Sequence, residues 1–99
     1  MADRVGNSAP DEICWLCGRP LGRRVERHHP VPKSRGGRET VSLHAICHRV
    51  IHANLSNAEL ARMGSDAGML REHPAIARFV YWIADKPADF HARTAPAKR

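Results

Sequence analysis

The sequence predicts a small α+β domain, in which two short strands and a helix are stapled by metal ligands and followed by a helical extension. Three observations carry this. Cysteines and histidines come in close pairs: Cys14 with Cys17, His28 with His29, His44 with Cys47, and His48 with His52. Two short β-tolerant runs in the same half are bounded by proline and glycine. Beyond residue 55 the apolar residues adopt a helical period. At 99 residues, with both ends polar or basic, a single apolar core is marginal, so a bound metal is the natural supplement.

In chain order, residues 1–12 are small, polar and turn-prone, and are expected to be a flexible N-terminus. Residues 13–54 form the predicted core. It opens with the turn Cys14-Trp15-Leu16-Cys17-Gly18. An extended run over Arg24–His29 is stopped by Pro30 and Pro32. A basic loop holding Gly36-Gly37 leads to a second run over Glu39–Leu43, and Ala45–Ala53 reads as a short helix. Residues 55–90 are expected to pack on this core as two to three helices. Ser56-Asn57-Ala58-Glu59 is a capping box. Asp66 can cap a short helix running to Glu72, and Pro74 suits the first turn of another. Ile76, Phe79, Val80 and Ile83 share one face of that last helix, which Lys86-Pro87 ends. Residues 91–99 are expected to be a flexible basic tail.

No basic-then-apolar leader opens the chain, and the most apolar stretch, Ala75–Ala84, is broken by Arg78 and too short to span a bilayer. A soluble cytoplasmic protein with reduced thiols is expected, and an odd cysteine count argues against a disulfide framework. The formal charge is +6. Between Cys14 and Ser56, Arg19, Arg23, Arg24, Arg27, Lys33, Arg35, Arg38 and Arg49 face only Glu26 and Glu39. Such a field suits a polyanion, most simply nucleic acid, although a solubilising surface looks the same in sequence.

The chemistry lies in two clusters. Cys14, Cys17, His44 and Cys47 supply three thiolates and one imidazole, and a two-residue gap lets one tight turn present two ligands to one zinc ion. A redox CxxC would need a βαβ setting that this segment lacks. His48 and His52 stand at i and i+4 on one helix face, and His28 can add a third ligand from the strand. Three protein ligands leave positions for water and a phosphate oxygen, as a catalytic site requires. His29, whose side chain alternates with that of His28, is then free to act as general base. Arg27, Lys33, Arg35 and Arg38 are candidate phosphate contacts, and Arg49 is a candidate for stabilising transition-state charge. Trp15 reads as a packing residue. Two other groupings stay open: a stripe of His44, His48 and His52 on an early-starting helix, and a lone site of Cys14, Cys17, His48 and His52.

The runs Cys14–Gly18, Glu26-Arg27-His28-His29-Pro30-Val31-Pro32-Lys33-Ser34-Arg35-Gly36-Gly37 and Cys47-His48-Arg49-Val50-Ile51-His52-Ala53 resemble the HNH endonucleases. The resemblance covers about residues 13–54 and implies the ββα-metal (His-Me) finger fold buttressed by a zinc knuckle. It implies that His28, His48 and His52 hold one catalytic divalent ion (Mg²⁺, Mn²⁺, Ni²⁺ or Zn²⁺), with His29 as general base. It further implies phosphodiester hydrolysis, most simply of double-stranded DNA, leaving 5′-phosphate and 3′-hydroxyl ends. The family's middle asparagine, which ties down the catalytic loop, would fall near Glu39, which can anchor the loop as an acceptor only. A non-catalytic zinc-dependent nucleic-acid-binding module is the alternative on the same scaffold. The sequence implies no membrane partner and leaves monomer and homodimer equally open.

Overall fold

In the computed structural model, which describes residues 13–92, a turn held by short backbone contacts comes first. Ile13 bridges Pro20, the Cys14 amide donates to the Arg19 carbonyl at 3.0 Å, and the Gly18 amide donates to the Cys14 carbonyl at 3.0 Å. Gly18 sits at φ +78°, a backbone state open to glycine with little penalty. This turn docks on the rest of the domain through the Trp15 amide, which donates to the Ser42 carbonyl at 3.0 Å.

Strand β1 (Val25–His28) pairs antiparallel with β2 (Val41–His44), in a register that sets Val25 opposite His44 and His28 opposite Val41. Both strands are shorter than the extended runs expected for them, and β2 starts at Val41 rather than Glu39 because its partner ends at His28. The connection carries a 3₁₀ turn, Lys33–Arg35, closed by Gly36 in the left-handed conformation. Gly37 allows a close approach: a Cβ there would lie 1.8 Å from the Val31 carbonyl oxygen, so no other residue fits without moving the loop.

Helix α1 (Ala45–Asn54) follows β2 directly, with His44 still extended at its N-cap. Ile46, Cys47, Val50 and Ile51 form its buried face, while His48 and His52 lie at its side. Three helices complete the chain: α2 (Asn57–Met63), α3 (Ala67–Arg71) and α4 (Pro74–Ile83). Their starts follow the local chemistry of the sequence. Ser56 and Glu59 form the reciprocal capping box, Asp66 accepts from the Gly68 amide, and Pro74 occupies the first turn of α4. Ile76 and Ile83 are fully buried and Phe79 and Val80 pack beside them, so the apolar face of α4 is spent on the domain's own core.

The core joins both halves: Leu16, Leu43 and Ile51 from the first meet Leu60, Leu70 and Ile83 from the second. Polar ties reinforce the junction. The buried Arg19 guanidinium donates to the carbonyls of Lys86 (3.0 and 3.2 Å) and Pro87. Arg71 donates to the Leu16 carbonyl at 2.7 Å, and the Arg23 amide to Asp89 at 2.6 Å. Phe90 and Ala92 also pack against the core. The expected N-terminal arm and the basic tail beyond Ala92 lie outside the described residues. No helix among the described residues is long and apolar enough to cross a membrane.

Because the helical half completes the core, Ile83→Ala is expected to lower stability by about 2–5 kcal/mol, the usual range for emptying a buried aliphatic site. A chain ending at Asn54 is expected to show no cooperative urea transition. A cooperative transition in that truncated chain would show that residues 13–54 fold alone.

Candidate metal centres

The Cys14, Cys17, His44 and Cys47 ligand atoms lie within 4.8 Å of one another, as a set that could hold a metal such as zinc. His44 Nδ1 stands 3.5 Å from Cys17 Sγ and 3.7 Å from Cys47 Sγ. A zinc tetrahedron with ordinary Zn–S and Zn–N bonds has edges of about 3.5–3.8 Å, so these spacings fit one. The other imidazole nitrogen, His44 Nε2, lies 2.9 Å from the Pro20 carbonyl, and a proton donated there leaves Nδ1 bare toward the thiols. Arg19 Nη1 adds a donor 3.6 Å from Cys17 Sγ.

The thiols are electrostatically unequal. Hydrogen bonds from Cys14 and Cys47, with a smaller contribution from Arg19, hold the Cys17 thiol far below its ordinary range. Cys14 is pushed up by its hydrogen bond to Cys17 and by burial, against an opposing hydrogen bond to Cys47, and Cys47 is pushed up more strongly by its hydrogen bonds to Cys14 and Cys17 and by burial. One thiolate forms easily and further ones are resisted. A divalent cation reverses that preference by neutralising the accumulated charge.

The second set is His28, His48 and His52, whose ligand nitrogens also lie within 4.8 Å of one another. Their ring centroids are 5.1, 5.3 and 4.8 Å apart, with each pair close to edge-on. His28 is buried, and its Nε2 has no hydrogen-bond partner among the described residues. A buried imidazole nitrogen left bare beside two others fits a metal ligand well, since an unpaired buried polar atom is otherwise unfavourable. Burial, followed by repulsion from His48, His52 and His29, holds the His28 pKa down at about 4. Burial and His48 lower that of His52 as well. Both effects keep lone pairs available for coordination.

His44 lies outside α1, so the stripe of His44, His48 and His52 does not form, and the two ligand sets stay separate. A cavity of about 260 Å³ opens over the three-histidine set. His29 lines it beside His28, and Arg27, Lys33 and Asn57 supply further polar groups. Among the described residues no carboxylate lines it, so the cavity suits an anion. Arg35, Arg38 and Arg49 are exposed and do not line it. Arg49 follows His48 on the helix, and one residue's turn of about 100° carries it away from the cavity. Glu39 accepts from the Ser65 hydroxyl at 2.8 Å and so ties the end of the basic loop to the linker between α2 and α3.

Two residues escaped the sequence reading. Glu26 lies 2.7 Å from His48 Nδ1, an arrangement that orients the ring with Nε2 toward the other histidines. The available signal was strand alternation, which puts Glu26 on the same face as His28. Asn57, the first residue of α2, reaches the cavity from the helical half, and its place inside a capping box hid it.

Over 79 residues, 78% of this chain and 78% of the other, the chain is 43% identical to the uncharacterized protein YisB of Bacillus subtilis (strain 168). No family model matches the chain, and no solved structure does.

The sulfur-rich set is expected to retain about one zinc ion per chain through dialysis, the stoichiometry of a closed four-ligand site. Thiol modification should release it, as read with a metallochromic dye, and Cys47→Ser should abolish retention. Full retention by Cys47→Ser would remove Cys47 from the ligand set. The three-histidine set makes a pH prediction. The folded His28 pKa lies below the ordinary 6.5, so the unfolded chain binds more protons in this window. With only the sulfur-rich site loaded, stability should be complete above about pH 6.5 and fall as pH drops toward about 4. His28→Asn should flatten that fall in urea titrations, whereas an unchanged slope would assign it to other groups.

Proposed function

We propose that this chain, which belongs to the family of YisB, is a metal-dependent endonuclease of the HNH type, hydrolysing phosphodiester bonds of nucleic acid, with DNA the leading substrate. One observation carries the reading. The bare His28 nitrogen, His48 and His52 converge beside a fourth imidazole, His29, in a cavity whose other polar residues include Arg27 and Lys33. A closed structural site has no use for the extra histidine or for a basic mouth.

In this reading Cys14, Cys17, His44 and Cys47 hold structural zinc in a ββα-metal finger, and His28, His48 and His52 hold the catalytic divalent ion. When bound, that ion supplies Lewis-acid polarisation of the phosphate and stabilises charge on the leaving oxygen. Arg27 and Lys33 receive the phosphate oxygens and fix the strand in the cavity. His29 takes a proton from the attacking water as the new P–O bond forms opposite the leaving 3′-oxygen. The P–O3′ bond then breaks, the leaving 3′-oxygen takes a proton from solvent water, and 5′-phosphate and 3′-hydroxyl ends result. His29 is the only one of the four clustered imidazoles outside the ligand set, which leaves its nitrogens for proton transfer. Glu26 acts through His48 as a positioning residue, holding the ligand's ring and tautomer. Asn57 can donate its amide to the substrate from the far side of the helical junction.

Purified protein is expected to nick or cut plasmid with Mg²⁺, Mn²⁺ or Ni²⁺, and chelation should stop it. Loss of a general base removes a factor of about 10²–10⁴, so His29→Ala should cut at least a hundredfold more slowly with its urea transition intact. If His29→Ala cuts at the parent rate, the base is another group. Tight, salt-sensitive binding without cleavage in any metal would replace the enzyme with a binding module.

A further inference from the structure

A second cavity, of about 390 Å³, lies between the Cys14–Gly18 turn and β2, beside the sulfur-rich set, whose Cys14 lines it. Ile13, Trp15 and Val41 give it apolar walls, and Thr40, Ser42 and Arg27 give it hydrogen-bonding groups. Two observations connect it to the histidine cavity. Arg27 lines both, and the Trp15 ring centroid is 6.0 Å from that of His28. The two cavities are thus neighbours of opposite character, one cationic and open to an anion, the other aromatic and largely apolar. A nucleotide has the same division, with a charged phosphate joined through a sugar to a flat ring edged by donors and acceptors.

We propose that this cavity is a nucleobase subsite, which takes one unpaired base of the substrate strand while its phosphate lies among the histidines. The proposal rests on the phosphodiester reading of the histidine site and adds to it the form of the substrate. Trp15 supplies the stacking surface, because the face of an indole matches any base. Thr40 and Ser42 present hydroxyls to the base edge. The Arg27 guanidinium holds Ser42 Oγ at 3.0 Å through Nη1 and lines both cavities, which places one cationic group at the junction between base and phosphate. A base within a duplex is stacked on both faces and closed to such a pocket. Single-stranded or locally opened nucleic acid is therefore the preferred substrate.

The test uses zinc-loaded Trp82→Phe protein, in which Trp15 is the remaining tryptophan, with no second metal added. Its emission is followed while each of the four deoxynucleoside 5′-monophosphates is added, with deoxyribose 5-phosphate as the base-free probe. The expected result is saturable quenching by the nucleotides, with the sugar phosphate binding about tenfold more weakly, the share a stacked base contributes. Thr40→Leu, at an exposed position on the cavity rim, should weaken nucleotide binding by a similar factor without disturbing the fold. Emission unchanged by every nucleotide, or equal response to the sugar phosphate, overturns the subsite. Nucleotide quenching in a protein that cuts nothing in any metal upholds the subsite and removes the nuclease reading. Cleavage of fully paired DNA as fast as DNA carrying an unpaired stretch overturns the substrate preference and with it the proposal.

Discussion

The rotational setting of α1 is the constraint on which the remaining chemistry depends. One ten-residue helix carries ligands of both candidate centres, and Cys47 and His48 are sequence neighbours that point about 100° apart. A turn of the helix by a fraction of that angle would pull Cys47 from its partners or swing His48 and His52 off His28. The sulfur-rich set prevents this. His44 anchors the last residue of β2, Cys47 lies one turn inside the helix, and both converge on the Cys14–Cys17 turn. Backbone contacts work in the same sense, with the Ala45 amide on the Arg24 carbonyl and the Trp15 amide on that of Ser42. The thiol cluster therefore acts on the histidine cavity from a distance, by setting the phase of the helix between them.

Charge is divided between the two centres in a way that keeps their chemistries apart. Cys17 is held toward its thiolate while Cys14 and Cys47 are held toward the neutral thiol, so a cation there stabilises charge that the fold alone would resist. His28 and His52 are held toward the neutral form by burial and by repulsion from neighbouring imidazoles, and among the described residues the cavity is lined by Arg27 and Lys33 with no carboxylate. The acid nearest the set, Glu26, is committed to His48. An anion entering the cavity thus meets cations and open imidazole nitrogens without opposing charge. A soft thiolate site and a harder imidazole site differ in the metals they favour, which lets each be loaded separately.

Much of this was legible in the chain, and what was hidden is hidden for identifiable reasons. Pairs such as Cys14/Cys17 and His48/His52 are readable because a tight turn and a helix each convert a fixed spacing into a shared direction. The starts of α2, α3 and α4 are readable because caps are local chemistry. The partnership of Glu26 with His48 spans 22 positions and exists only once α1 has docked on β1, so no local pattern announces it. The same is true of Arg19, whose carbonyl partners lie 67 and 68 residues away. Arg35, Arg38 and Arg49 show the converse. They neighbour the motif in sequence, yet they are exposed and do not line the histidine cavity. Glu39 does fasten a loop, but to Ser65 in the helical half, a partner the core motif alone does not contain.

That last point bears on how the two halves should be understood. A 42-residue segment of this composition cannot bury enough apolar surface to hold a hairpin and a helix in register unaided. Here Leu60, Leu70, Ile76 and Ile83 supply the missing burial, and the carbonyls of Lys86 and Pro87 hold the Arg19 guanidinium that also faces Cys17. Asn57 brings a side chain from the same half into the histidine cavity. The helical half thus reaches one centre through Arg19 and the other through Asn57. A loss of packing in α4 should therefore loosen both centres together, although none of its residues is a ligand. The helices are best regarded as the outer wall of the site, and the division at residue 55 as a change of secondary structure inside one cooperative unit.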